Sequence, residues 1–473
     1  MIVSLAPRVV GELREIAGAP HVLTAVEDLI AYGYDATWYE ARPVAVVLPA
    51  TTAEVAAVHR LATRERIALV PRAMGSGLSG GSVPLEGSLI LAVPRMNRIL
   101  EIDEVNRVAI VQSGVINAAL QDAVESRGLF YPPDPSSLRQ SAIGGNVAEN
   151  AGGARCLKYG VTADYVVALE IVLPDGTIVR TGGKMLKNAT GYDLRALYAG
   201  AEGTLGTITE ITLRLLPKPR FTRTALAAFA RIDDATATVR AVMASGLLPA
   251  SIELMDRLTI RCVEENAPAG LPLGSDAVLL FAVDGNYEAI VDEELATIAE
   301  IASAHGATET RVAASAAESA RLWEARRAVS PALARRTPNK LGEDVCVPLS
   351  EIGEMVRRIR EIAQRYDLQI PVFGHAGDGN LHPNILCDRR NREEMVRVRA
   401  AAREIFEAAV ALGGTLSGEH GIGLLKKQFI ELDVGSAALG LMRRIKDAVD
   451  PLGIMNPGKI FPDPGGADAF DLP

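Results

Sequence analysis

Cysteine is scarce in this chain, with four in 473 residues. Cys156, Cys262, Cys346 and Cys387 lie far apart and form no CxxC pair. That excludes a disulfide framework, a zinc knuckle and a cysteine-ligated iron–sulfur cluster, and it fits reduced thiols in a cytoplasmic setting. Aromatic residues are few as well, at 4%, so tight turns and close backbone packing replace large side chains. A basic excess is also missing. The formal net charge is −9 and no basic patch stands out, which excludes nucleic acid as a partner. The opening stretch MIVSLAPRVVGELREIAG interrupts its apolar positions with Arg8, Glu12, Arg14 and Glu15, so it lacks the apolar centre of a signal peptide. No uncharged run is long enough to span a bilayer. The sequence therefore reads as cytoplasmic, with any membrane contact peripheral, at the inner face. It contains no internal repeat or low-complexity tract.

What is present is ample apolar material, 48% of a chain too long for one ordinary core. Residues 1–40 read as a helical lead-in. A strand begins in RPVAVVLPA at 42–50, and Thr51 and Thr52 can cap a helix over about 53–64, with Val55, Val58 and Leu61 at helical spacing. From there to residue 219 the pattern is mostly strand and turn, including a hairpin at Pro174-Asp175-Gly176. Two prolines in LPKPR mark a domain edge. Beyond it, strand-like runs alternate with long helices, which reads as an α+β domain with helices on one face of an antiparallel sheet.

Gly75, Gly77 and Gly80 satisfy GxGxxG, but Ser82, Val83, Pro84 and a strand-like run follow. Proline and a β-run cannot supply the helix N-terminus that holds a dinucleotide pyrophosphate, which excludes the ordinary NAD site. A glycine loop still binds phosphate through converging backbone N–H groups, and its bland alternative is a tight turn. Two further stretches favour a cofactor: PPDPSS with SAIGGNVAENAGG and KYG, and AGAEGTLGTITE at 199–210.

Together these motifs resemble the FAD-binding half of the vanillyl-alcohol-oxidase-like flavoproteins, and the resemblance to their FAD-linked dehydrogenase branch runs from RPVAVVLP to MNPGKIFP. It implies that the pyrophosphate lies on Pro71, Arg72, Ala73, Met74, Gly75, Ser76, Gly77, Leu78, Ser79 and Gly81. It implies that Pro133, Asp134, Pro135, Ser137, Gly144, Gly145, Asn146, Ala148, Asn150, Gly153, Gly160 and Val161 line the flavin and ribityl chain. Glu202, Gly203, Gly206 and Ile208 would hold the adenosine half, and Asn456 would reach the flavin from the tail. Some family members attach FAD through a histidine in the first glycine loop. This loop has none, so the expectation is non-covalent FAD.

The densest polar chemistry lies in FGHAGDGNLHPNIL at 373–386 and SGEHGIG at 417–423. Asp378-Gly379-Asn380 reads as a turn that brings His375 and His382 together across a hairpin. His382 and Asn384 share one strand face. Glu419 and His420 come from a glycine-flanked turn. Each histidine alone would be an ordinary polar residue near a turn, but three of only six histidines fall in these two segments. Two histidines and a carboxylate form an open metal-ligand set. The segments are similar to those of FAD-dependent D-lactate dehydrogenases, glycolate dehydrogenase FAD subunits and D-2-hydroxyglutarate dehydrogenases. That resemblance implies a divalent metal, zinc or manganese, on His375, His382 and Glu419, with His420 as the base. It also implies Arg326 in LWEARRAVSPALARR as the carboxylate-binding, catalytic arginine, with Lys340, Asn384 and His420 on the substrate.

The fold class expected is therefore α+β: a two-lobed FAD-binding domain of the vanillyl-alcohol-oxidase type plus an α+β cap with an antiparallel sheet. The boundaries expected are a lead-in at 1–40, the FAD domain at 41–219, the cap at 220–454 and a returning tail at 455–473. The expected activity is oxidation of a small D-2-hydroxy acid to the 2-oxo acid. EDVCVPLSEI at 343–352 resembles D-lactate dehydrogenases more than hydroxyglutarate enzymes, which points to D-lactate. The alternatives are the FAD subunit of a glycolate dehydrogenase complex, a D-2-hydroxyglutarate dehydrogenase and, against the intact histidine set, a non-catalytic flavin-binding subunit. The electron acceptor is left open among a quinone, a cytochrome, an electron-transfer flavoprotein and an iron–sulfur subunit. A homodimer is compatible with all of these readings.

Overall fold

A computed structural model describes residues 5–463, so residues 1–4 of the expected lead-in and 464–473 of the expected tail lie outside the described residues. The chain divides into two compact units. Among the described residues, the first comprises 5–152, 161–218 and 419–463, and the second 153–160 and 219–418. The step from Lys218 to Pro219 falls in LPKPR. The return differs from the expectation, since the chain re-enters the first unit at Glu419 and not at 455. The physical reason is bonding that no composition change announces. Leu424 N and Leu425 N donate to Ser79 O, and Ile460 N donates to Gly423 O.

In the first unit a four-stranded sheet runs in the order Val22–Leu23, Ala45–Val47, Leu89–Ala92, Leu69–Arg72, the last three parallel. Helix Thr52–Glu65 starts where Thr51 Oγ1 accepts from Glu54 N at 3.2 Å and Glu54 bonds back to Ala50 N at 2.8 Å. This reciprocal cap fixes its first turn. Its buried Val55, Val58 and Leu61 pack with Leu69, Leu89 and Leu91 of the sheet. Parallel strands covered on both faces need continuous apolar runs, and Leu89–Ala92 is buried throughout. A second, five-stranded antiparallel sheet has the order Ile99–Asp103, Val108–Gln112, Thr207–Arg214, Val166–Val172, Ile178–Gly182. Its last two strands form the hairpin at Pro174–Gly176, where Val172 pairs with Ile178 and Gly176 takes φ +84°.

The second unit is built on one antiparallel sheet. Its order is Ala307–Val312, Phe221–Phe229, Ala277–Gly285, Ser251–Asp256, Val372–His375, Asn380–Cys387, Asn339–Gly342, with Val345–Cys346 also on Asn380–Cys387. Helices cover both faces, not one. Leu226, Met255, Val278 and Leu280 pack against Ile260, Val263, Leu322 and Val329 of the helices on one side. The alternate residues Ala227, Phe229, Leu279 and Phe281 are equally buried, and helix Glu288–Ala304 packs on the same two central strands. Alternating patterns fade in strands covered twice, so the sequence did not reveal the second layer. Among the described residues, no helix is long and apolar enough to cross a membrane.

Candidate active site

The register of the second unit's sheet assembles a polar face. Val372–His375 and Asn380–Cys387 form a hairpin in which Phe373 pairs with His382 and His375 with Asn380. Its turn requires glycine at 379, where φ is +86° and a Cβ would stand 2.1 Å from Val347 O. Residues two apart share a face, so His375, Phe373, His382 and Asn384 line one side. The imidazole rings of His375 and His382 lie 5.2 Å apart, edge to face at 89°. On the neighbouring strand Glu253 stands directly opposite His375. Glu253 Oε1 lies 2.7 Å from His375 Nδ1, and Oε2 lies 2.6 Å from the Arg326 guanidinium. Arg326, at the end of helix Ala316–Arg327, also stacks over the Phe373 ring at 4.8 Å.

These groups are buried, and burial sets their charge states. Burial would raise the Glu253 carboxyl, but Arg326 and His375 outweigh it and hold it below its usual range. Across the face, Lys340 Nζ donates to Asn384 Oδ1 at 3.0 Å, and Asn384 Nδ2 donates to His382 O at 3.0 Å. Burial pulls the Lys340 ammonium down to about 8. Asp344 accepts from Asn380 Nδ2 and from Ser417 Oγ, each at 2.6 Å, and lies 3.8 Å from His382 Nδ1. Five expected residues thus converge: His375, His382, Arg326, Lys340 and Asn384. Glu253 and Asp344 were missed. The signal for Glu253 was present, an acid at the centre of the strand Ser251–Asp256, all of whose residues are buried. Glu419 and His420 follow directly on Gly418, the last residue of this unit, and open the returning segment of the first.

The first unit carries the glycine loops. After Leu69–Arg72 the chain turns through Gly75, at φ +67°, and Gly80, at φ +80°. No helix follows until Asn117–Glu125, in keeping with the exclusion of an ordinary NAD site. Arg72 fills the loop from within: its Nη1 donates to Ser82 O at 3.4 Å, and a Cβ on Gly75 would overlap its guanidinium at 2.0 Å. In the first turn of helix Ile143–Glu149, the Gly144 N–H donates to Ser113 O, and a Cβ on Gly144 would stand 2.4 Å from Ser113 Cβ. Ala73 of the loop lies beside Gly145, 3.2 Å from the position of its missing Cβ.

Several polar atoms here are buried without a hydrogen-bond partner among the described residues: Ser113 Oγ, Ser141 Oγ, Asn146 Nδ2 and Asn456 Oδ1. Such atoms are costly unless a bound group completes them. With the bare-backbone loop beside them, the residues fit a polar nucleotide cofactor. Asn456 Nδ2 donates to Gly81 O at 2.8 Å and Glu202 O at 2.7 Å, which ties the tail to both glycine stretches. Asn150 sits in the left-handed region, and its Oδ1 accepts from Ala163 N at 2.9 Å. Gly203 faces Pro71, while Gly206 approaches Val172 O, beside buried Ile208. Pro133 O accepts from Gln121 Nε2 at 2.9 Å. Glu202 turns its carboxylate inward and accepts from Ile422 N at 2.8 Å and Gly423 N at 2.7 Å. Burial raises both Glu202 and its neighbour Glu149, and their mutual repulsion pushes Glu149 further. Gly153 and Gly160 fall in the second unit, around the short helix Cys156–Tyr159.

A glycine-lined cradle in one unit and a buried polar face on the antiparallel sheet of the other define an α+β fold of two units. Solved structures share that fold. The chain matches p-cresol methylhydroxylase with a TM-score of 0.80 at 19% identity, covering 96% of both chains. It matches 4-ethylphenol oxidase from Gulosibacter chungangensis with a TM-score of 0.78 at 21% identity, again covering 96% of both. The particular family is given by sequence. Residues 43–182 match the FAD binding domain and 218–460 match the C-terminal domain of FAD linked oxidases, so the chain belongs to the FAD-linked oxidase family and is an FAD-dependent oxidoreductase. Among its relatives, the glycolate oxidase subunit GlcD of Bacillus subtilis (strain 168) is 46% identical over 451 residues, covering 95% of this chain and 96% of the relative. A D-lactate dehydrogenase of Anaerostipes hadrus is 35% identical over 467 residues, covering 96% and 98%. A D-2-hydroxyglutarate dehydrogenase of Stutzerimonas stutzeri is 33% identical over 461 residues, covering 96% and 99%.

Proposed function

We propose that this protein uses non-covalently held FAD to oxidise a small D-2-hydroxy acid, of the size of D-lactate or glycolate, to its 2-oxo acid. The observation that carries the reading is the buried polar face: two imidazoles, a clamped arginine and a buried ammonium on one side of one sheet. Bound FAD supplies the acceptor for the hydride leaving Cα, and a bound divalent cation supplies Lewis acidity at the hydroxyl. His375, His382 and Glu419 are the residues that would hold that cation. Their donor chemistry suits zinc or manganese. Ser417 is anchored on Asp344, beside His382, and Glu419 follows two residues later, which favours its joining the set.

The chain's own residues bind, orient and deprotonate. Lys340 receives the substrate carboxylate, with Arg326 offering the guanidinium nitrogens that Glu253 does not engage. Asn384 aligns the ammonium. His420 takes the hydroxyl proton, and the Cα–H bond electrons leave as the hydride. Non-covalent attachment follows from the absence of histidine in the loop Pro71–Gly81.

A second reading makes the chain the flavin subunit of a glycolate-oxidising complex. It is favoured by the 46% identity to a glycolate oxidase subunit. In that case electrons leave through a partner carrying the clusters this chain lacks. The deciding measurement is anaerobic flavin bleaching with glycolate, D-lactate, L-lactate and D-2-hydroxyglutarate. Bleaching by glycolate or D-lactate, but not by L-lactate, is expected. His420→Ala should slow it by ~10²–10⁴ while metal and flavin are retained, whereas Glu419→Gln should lose the metal. Bleaching by none of the four acids would end the proposal.

A further inference from the structure

Glu253 stands across the sheet from His375 as its antiparallel register partner, at 0% exposure. Each of its oxygens has one close partner. Oε2 meets Arg326, a group that only donates, and Oε1 meets His375 Nδ1 at 2.7 Å. A neutral carboxyl would leave the buried guanidinium without a counter-charge, so Glu253 is a carboxylate whose Oε2 forms the ion pair with Arg326 and whose Oε1 accepts from His375 Nδ1. His375 Nδ1 therefore carries the proton, and the electron pair of the neutral ring belongs to Nε2. Arg326 is held in turn by its stacking over Phe373 at 4.8 Å, on the same hairpin as His375. The neighbouring imidazole repeats the theme at longer range. His382 Nδ1 faces Asp344 at 3.8 Å, and Asp344 is fixed by Asn380 and Ser417.

We propose that Glu253, clamped by Arg326, is a positioning residue for the cation site: it holds His375 as the Nδ1–H tautomer, with the Nε2 electron pair presented to a divalent metal. The inference rests on the reading of His375 as a ligand. A carboxylate behind a ligating histidine fixes the ring and raises its basicity, and its loss typically weakens metal binding about 10–100-fold.

The test uses the full FAD-loaded chain, stripped of metal with a chelator, and measures zinc affinity by competition with a chromophoric chelator, then repeats with manganese. Glu253→Gln keeps the side-chain shape and removes the charge. It also strands the Arg326 charge, so the double variant Glu253→Gln/Arg326→Gln is measured beside it. Wild-type protein is expected to bind zinc, and both variants to bind it about 10–100-fold more weakly. In the double variant, flavin content and melting temperature should match wild type. Equal zinc affinity in wild type and both variants overturns the role of Glu253 and leaves the metal reading intact. Loss of flavin and of thermal stability in both variants, in step with the zinc, makes Glu253 a structural residue and also overturns the proposal. Failure of the wild type to bind either metal overturns the metal reading and this inference with it.

Discussion

In the proposed function, the buried charge of Lys340 ties carboxylate binding to pH. Its ammonium is held at about 8 by burial, against an ordinary value of 10.5. Below that point it is charged and can hold a carboxylate, and above it the charge is lost. The limiting rate constant kcat/KM, which reports the free enzyme, should therefore fall as pH rises through about 8. Lys340→Arg keeps its charge and should remove that alkaline limb. Lys340→Met should raise KM about 10–100-fold at neutral pH, the worth of one charge-assisted hydrogen bond. A pH–rate series on the three proteins checks this, and an unmoved alkaline limb in the arginine variant would assign it to another group. The sign for stability is opposite. The unfolded chain holds this proton more tightly, so between about 8 and 10.5 stability rises with pH. At this scale turn signals and strand alternation, which are local, brought His375, His382 and Asn384 together in the sequence, while Arg326 and Lys340 were named only by the family resemblance. The sequence missed Glu253 and Asp344, whose meaning depends on which strand lies beside them.

At the scale of elements, the returning segment after Glu419 is secured by a side chain 220 residues away in sequence. Glu202 caps Ile422 N and Gly423 N, and Gly421 and Gly423 are tight against Glu149 and Ser79. Glu202→Ala would leave two N–H groups without their acceptor, at about 1–3 kcal/mol for each that stays buried. The expected result is a lower melting temperature and faster amide exchange confined to 419–425, with the exchange of the second unit's sheet unchanged. Uniform exchange across the chain would show that Glu202 supports the whole fold and not this strap. The resemblance placed Glu202 on the adenosine half of FAD. Its carboxylate accepts from the backbone of the strap, a contact that spacing in the sequence cannot reveal. The two-sided cover of the second unit's sheet was hidden for a related reason, since strands buried on both faces lose the alternation that reports a face.

At the scale of the whole molecule, the last described residues complete the first unit. Leu69 N donates to Ile454 O and Asn456 N to Leu69 O, so the tail lies along the edge of the parallel sheet. Lys459 Nζ donates to Val83 O at 2.7 Å, just beyond the first glycine loop. Truncation before Met455 keeps Ile454 but removes the bonds of Asn456 N to Leu69 O and of Lys459 Nζ to Val83 O, together with the Asn456 side chain. It should weaken FAD binding and lower the melting temperature, although the strands of both sheets remain. Flavin released on gel filtration of the truncated protein measures the effect, and undiminished flavin content would remove the tail from the cofactor site.

Local chemistry let the sequence alone determine the absence of a helix behind GxGxxG, the helix cap at Thr51, the hairpin at Pro174–Gly176 and the turn that brings His375 and His382 onto one hairpin. Each depends on residues within a few positions of one another, where proline, glycine and side-chain capping act through the backbone itself. The tertiary structure alone decided that Glu253 faces His375, that Arg326 is tied to Glu253, and that the chain re-enters the first unit at Glu419. Those outcomes follow from strand register and from hydrogen bonds between residues tens to hundreds of positions apart. In a chain rich in small apolar side chains, many pairings satisfy the same hydrophobic pattern, and only the packed sheet selects one.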